Sequence, residues 1–441
     1  MGRERDRIAK RIEKNPIEEC NKIQKKFYPE LFTKFGQVRD PRHSSYIDYS
    51  SRDILGMVYY KGIAGISSMQ GMTREFNDEK VVENLYGFIG SGAKDYLPHG
   101  VTANEFLERL EPGELEEIQS DTVYRMIRRK SFDGAKVEGR WLVLVDGCEL
   151  DEGYIKKNEN YLSRCYNRGK ENEFTKYHRS VLEAKIYLGN GLVCSMATEF
   201  IENSAEYTEK KLSEEEIKQD CERKAFVRLS EKMKKRFPRL PICIVADGLY
   251  VSEKVLQICE DNNWEYIIGY KEGCAPTIEE EYQAIPEKDK KGNAEYINGV
   301  IFKDREVNVL KYRETRVKKG EAVTTEFVWI TSVEITKRNA EKLVRAGRNR
   351  WKIENQGFNR QKRWQGDIGH ACSWNERAQK NHYLLEQISD FMKQLYEYYF
   401  LKKNEIKKAQ KNISSELLAS FGRQLTKTED ISAKLNESVL N

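Results

Sequence analysis

The apolar positions of this chain recur at two different spacings, and the change falls near residue 140. Before it they follow helical periodicity, which predicts a helical N-terminal region over residues 1–135. Its most apolar helix is expected from Asp53 to Met69, with Ser50 or Ser51 as N-cap. A loop carrying Gly90, Gly92, Pro98 and Gly100 follows, and Thr102 with Glu105 three residues on has capping-box spacing. At Trp141 the pattern becomes a continuous run, WLVLV, as expected of a strand buried on both faces, and it ends at Asp146-Gly147. Strands are predicted from Ser180 to Leu188 and from Leu192 to Phe200, with Asn190-Gly191 as the hairpin signal between them. A charged helix from Glu209 to Arg236 leads to a second wholly apolar strand, ICIVA, which ends at Asp247-Gly248. A helix from Val251 to Asn262 and a strand from Tyr266 to Tyr270 complete this segment, residues 136–271.

Glycines and prolines then break the chain into short strand-like pieces such as GVIFK and EVNVLKY, so residues 272–325 read as a β-rich insertion. The pattern resumes over 326–402 with a strand from Phe327 to Val333, a basic helix from Asn339 to Arg363 and an aromatic-rich helix from Glu376 to Leu401. Residues 403–441 are polar and are expected to be a mobile tail. The whole predicts an α/β protein.

Charge sharpens this picture. Between Lys337 and Arg363 ten Lys or Arg stand against two acids, a local excess of eight, whereas the 441-residue chain carries only +5. Near the centre of that basic helix lies one carboxylate, Glu354. The nine cysteines include no close CxxC pair, which suits reduced thiols and argues against a disulfide framework or a structural zinc site. No apolar run approaches a membrane span, and the N-terminus lacks the apolar core of a signal peptide. A cytoplasmic protein that makes no membrane contact is expected.

Two buried strands that each end in Asp-Gly place Asp146 and Asp247 in the crevice where α/β sheets bind ligands. Asp-Gly is also an ordinary turn, and either aspartate alone reads that way. Glu354 alone reads as an i,i+4 partner of Arg350. Their conjunction gives three hard oxygen donors of the kind Mg²⁺ prefers, with Mn²⁺ able to substitute. Two such ions, with DNA bound, would serve phosphodiester chemistry. Glu149, Asp151 and Glu152 compete for the first position, but none directly ends an apolar strand. Trp351 and Trp364 flank the basic segment, and core packing is the expected role of both.

These residues resemble the DDE transposases of bacterial insertion sequences, in the branch with a Tyr-Arg-Glu-Lys signature. VDG at Asp146, ADGLY at Asp247 and RNRWKIENQGFNRQK around Glu354 look like that family's three catalytic motifs, and DPRH at Asp40 and LPHGVTANEFL look like its lead-in. The resemblance spans roughly Arg39 to Phe400. It implies a ribonuclease H-like mixed-sheet catalytic core, with Asp146, Asp247 and Glu354 as the metal-binding catalytic triad. Arg350 matches the signature arginine, but the tyrosine three residues before it is Gly347 here, and the signature lysine position is Gln361. Glu-Asn-x-Gly-Phe-Asn-x-x-Lys, which recurs in related sequences, ends at Lys362 and points to that lysine instead. Arg348, Arg350, Lys352, Arg360, Lys362 and Arg363 are the expected DNA contacts, and the N-terminal helices could bind element ends.

The implied function is metal-dependent cleavage at insertion-sequence ends and strand transfer into double-stranded target DNA, by a homodimer assembled on DNA and acting at the bacterial nucleoid. Two rivals stay open: a nuclease on the same core that never joins strands, and a catalytically decayed derivative that only binds DNA.

Overall fold

The computed structural model describes residues 14–425 except 159, 203–213, 271, 272, 274, 319 and 320. It divides into two compact units, one from Gln119 to Arg360 and the other from residues up to Ile118 together with those from Gln361 onward.

The middle unit is built on one mixed sheet. Its strands are β1 (Trp141–Gly153), β2 (Leu162–Tyr166), β3 (Phe174–Tyr187), β4 (Val193–Ile201), β5 (Ile242–Ala246), β6 (Glu265–Tyr270), β7 (Asp289–Lys291), β8 (Ala294–Phe302), β9 (Arg305–Lys318) and β10 (Glu321–Thr331). From β3 the order runs β3–β1–β5–β6–β10–β9–β8–β7, and β4 and β2 both pair with β3. β1, β5 and β6 are parallel neighbours, while β3 runs antiparallel beside β1 and β4 antiparallel beside β3. This is the mixed sheet of a ribonuclease H-like α/β core. Ile242–Ala246 and the first five residues of β1 are buried throughout, so the continuous apolar runs correctly marked two-sided strands. The helix Glu214–Arg236 packs on β4 and β3 and buries Ala225, Phe226, Leu229 and Met233.

The β-rich stretch continues this sheet. β10 pairs antiparallel with β6, from Val328↔Tyr270 to Thr331↔Ile267. The strand expected from Phe327 starts at Glu321, because its first six residues are exposed on both faces and carry no apolar signal. A helix, Pro276–Ala284, also lies here and buries Ile278 and Tyr282 at i,i+4 spacing.

The other unit is helical. Ser51–Ile63 is buried nearly all round, and its Ser50/Asp53 capping box fixes where it starts. The long helix Glu376–Tyr396 packs against it. The Thr102/Glu105 spacing does not cap a helix. Gly100–Arg109 starts earlier, with the His99 ring accepting from the Val101 amide. Where composition predicted a mobile tail, Gln410–Ser420 forms a helix that buries Ile413 and Leu417, and Phe421 behind it packs among Tyr60, Phe76 and Phe88. Among the described residues no helix is long and apolar enough to cross a membrane.

Candidate active site

The register of two strands brings the aspartates together. Parallel pairing sets Trp141 beside Ile242 and Leu144 beside Val245, an offset of 101 residues. Carried two residues beyond that pairing, the same offset brings Asp146, inside β1, level with Asp247, which follows the last residue of β5. β1 does not end at Asp146-Gly147 as its apolar run suggested but continues to Gly153. Asp247 also has the ordinary turn role: its carboxylate accepts from the Leu249 amide at 2.9 Å and caps the turn Gly248–Tyr250.

Glu354 arrives on an irregular segment. The basic helix is broken: Ala340–Arg348 ends in a turn, and Ile353–Phe358 follows as a π turn in which the Asn359 amide donates to the Glu354 carbonyl five residues back. Such turns often occur at functional sites. Beneath this one lies Lys185 of β3, almost fully buried, its ammonium 5.7 Å from the Phe358 ring centre. A Cβ at Gly357 would meet Lys185 Cε at 3.2 Å, so glycine lets the turn settle onto the lysine stem.

Arg350 joins two of the three acids. Its Nη1 lies 3.1 Å from Asp146 Oδ2 and 2.8 Å from Glu354 Oε1. Burial, together with the nearby charges of Glu354, Asp247 and Glu222, pushes the Asp146 carboxyl up to about 7 against the lowering pull of Arg350. Glu222, on the helix Glu214–Arg236, is a fourth acid that sequence reasoning missed. Its Oε1 would lie 3.1 Å from a Cβ placed on Gly147. The buried Tyr250 hydroxyl has no hydrogen-bond partner, a state that costs about 1–3 kcal/mol. Burial, with the charges of Glu222, Asp146 and Asp247, raises its pKa well above the ordinary tyrosine range. The competing acids on β1 are neutralised elsewhere. Glu149 pairs with Arg164 at 2.8 Å, Glu152 with Lys176 at 2.7 Å, and Asp151 with Tyr161, Arg179 and Lys157.

Among the described residues no three His, Cys, Asp or Glu side chains stand close enough together to hold a metal ion. Asp146 and Glu354 are instead both hydrogen-bonded to the Arg350 guanidinium. The chemistry of the donors nevertheless fits a hard divalent cation. They are carboxylate oxygens in excess over positive charge, beside an orphaned buried hydroxyl.

The expected DNA contacts fall into two groups. Arg348 and Lys352 line an open groove of about 810 Å³ with Arg316, Arg345, Phe327 and Trp351. Arg348 pairs with Glu314 at 2.6 Å and lies over the Phe327 ring at 4.5 Å. Arg360, also expected at the DNA, is only 4 % exposed here. Gln361 is fully buried in the helical unit, its amide donating to Gln387 and Asp390 at 2.9 Å each. Lys362 is half-buried and Arg363 exposed. Trp351 and Trp364 are not the core residues expected, being 53 % and 39 % exposed.

Gly347, where the signature has tyrosine, has a local cause. A Cβ there would lie 2.5 Å from the Trp329 indole, which stacks on Phe327 at 5.9 Å. The tryptophan fills the space that a side chain at 347 would need. Gly347→Ala is therefore expected to destabilise the protein by about 1–3 kcal/mol in chemical denaturation, with part recovered when Trp329→Ala is added.

No curated protein matches the chain. Residues 219–385 match the family model for the transposase DDE domain. That span takes in Glu222, Asp247, Arg350 and Glu354 and leaves Asp146 outside it, and over it the chain is similar to DDE transposases.

Proposed function

We propose that the protein is a DNA transposase that cleaves the ends of an insertion sequence and joins them to target DNA. The observation that carries this reading is the strand register that aligns Asp146 with Asp247, with Glu354 tied to Asp146 through Arg350. The similarity over residues 219–385 supports the same reaction class. DDE transposase domains generally use divalent metals. Asp146, Asp247 and Glu354 would hold Mg²⁺, or Mn²⁺ in its place, as two ions once DNA is bound. The cations would activate the attacking oxygen and stabilise the leaving one in phosphodiester cleavage.

The chain's own residues would hold and orient the DNA. Arg350 spends Nη1 on the two carboxylates and keeps further N–H donors for a backbone phosphate. Arg348 and Lys352 would bind phosphates along the groove, and Lys362 and Arg363 would add contacts from the helical unit. The partner is double-stranded DNA, bound by a homodimer so that two ends can be joined in concert, at the bacterial nucleoid.

Strand transfer with a pre-cleaved end and Mg²⁺ tests the reading. Joined product supports it, hydrolysis alone favours the nuclease, and binding without either reaction favours the decayed derivative. DNA affinity should fall steeply with salt. Arg348→Ala and Lys352→Ala should each reduce the slope of log K against log salt by about 1 in a fluorescence titration. An unchanged slope in both would remove the groove from the DNA path.

A further inference from the structure

We propose that Glu222 is a fourth carboxylate ligand of the divalent-cation site, with the Tyr250 hydroxyl as the buried donor that orients it. The inference rests on the transposase reading, since it concerns the same site, and it adds residues that the three-acid signature does not contain.

Three independent placements converge on it. Glu222 and Phe226 lie one turn apart on the same face of the helix Glu214–Arg236. Phe226 packs edge-on against the Tyr250 ring, with 5.6 Å between centres, so that helix face is directed at the turn following Asp247. Glu222 in turn reaches over Gly147, the residue after Asp146, so closely that a Cβ there would lie 3.1 Å from Oε1 and 3.3 Å from Cδ. Any larger residue at 147 would press on the carboxylate. The Tyr250 hydroxyl, 1 % exposed at the residue level and without a hydrogen-bond partner, is the second feature that asks for a ligand. A neutral O–H donor beside carboxylates gains a partner when one of them turns toward it. An acid held by a helix over Gly147, close enough for its charge to act on the adjoining Asp146 and next to such a donor, has the chemistry of a cation ligand with its supporting hydrogen bond.

Mn²⁺ binding to the full chain without DNA, read by electron paramagnetic resonance, tests this. Glu222→Gln should weaken Mn²⁺ binding at least about tenfold, and Tyr250→Phe should weaken it less. Asp146→Asn, measured in parallel, reports on the underlying site. If Asp146→Asn loses Mn²⁺ and Glu222→Gln binds as the wild type, Glu222 is not a ligand and the site stands without it. If Asp146→Asn, Asp247→Asn and Glu354→Gln all bind Mn²⁺ as the wild type, the transposase reading fails at its root. A second measurement needs no variant. Fe²⁺ loaded in place of Mn²⁺, with ascorbate and peroxide, should cut the wild-type backbone near residue 222 as well as near 146 and 247. Scission near 146 and 247 alone would overturn the assignment.

Discussion

Asp146→Asn should abolish Mg²⁺-dependent strand cleavage, a loss of at least about 10³-fold, and leave DNA affinity within a factor of a few. Asp247→Asn and Glu354→Gln should do the same. Each replacement is close to isosteric and removes one negative charge, so it takes away cation affinity without opening a cavity. Lewis-acid stabilisation contributes several kcal/mol, and each 1.36 kcal/mol is about tenfold in rate. A catalytic loss must be told apart from unfolding, and Asp146 allows this. Its carboxylate is buried and opposed by Glu354, Asp247 and Glu222, with Arg350 as the compensating cation. The metal-free Asp146→Asn protein should therefore melt no lower than the wild type at pH 8, where a carboxyl near 7 is ionised. Cleavage retained in any one of the three variants would remove that residue from the site.

The second large effect lies in the helical unit, at Glu386. This residue sits on the helix Glu376–Tyr396 against Gly62 and Gly366, where a Cβ on either glycine would come within 3 Å of its Oε2. Its Oε1 is buried without a hydrogen-bond partner. Burial pushes its carboxyl up to about 8. Lys61 and Lys393 oppose this, while Asp390 and Cys372 add to it. The folded-state value is thus raised above the ordinary glutamate value near 4.5. The folded chain holds a proton that the unfolded chain has lost between about pH 4.5 and 8, so stability falls as pH rises through that window. Glu386→Gln mimics the protonated acid and should escape the loss. Its advantage over the wild type should grow from near zero at pH 4.5 to roughly 3–5 kcal/mol above pH 8. Urea unfolding at pH 5 and pH 8.5 measures it, and parallel pH profiles for the two proteins would refute it.

The sequence revealed most about the strands. Trp141–Val145 and Ile242–Ala246 are apolar at every position, and only a two-sided strand in a parallel sheet needs that. The aspartates that follow these apolar runs were legible for the same reason, although β1 itself continues past Asp146 to Gly153. What pairs Asp146 with Asp247 is register, a property of two strands together that neither strand displays alone. Glu222 was hidden because its helix is charged throughout, and one glutamate among many carries no signal until a fold aims it. The lysine position shows a different failure. Counting seven residues from Glu354 along an α-helix reaches Gln361, but the π turn Ile353–Phe358 takes up an extra residue, so that count does not hold along this segment. Hydrogen bonding that departs from the α pattern leaves no mark in hydrophobic periodicity. Gly347 was legible as a departure, but its cause, the indole of Trp329, lies on a strand eighteen positions earlier in the chain.

The division of the chain has a consequence for its synthesis. The helical unit draws on both ends of the chain, and the core unit occupies the middle. Ser51–Ile63, apolar on nearly every side, packs against Glu376–Tyr396, which leaves the ribosome more than three hundred residues later. At about 5–20 residues per second that is a wait of roughly 15–65 s. During it the core unit can complete its sheet while the earliest helices still lack their partner. A nascent chain stalled before residue 376 should therefore show a protease-resistant middle and a sensitive N-terminal segment, and should depend on holding chaperones until the last helices emerge.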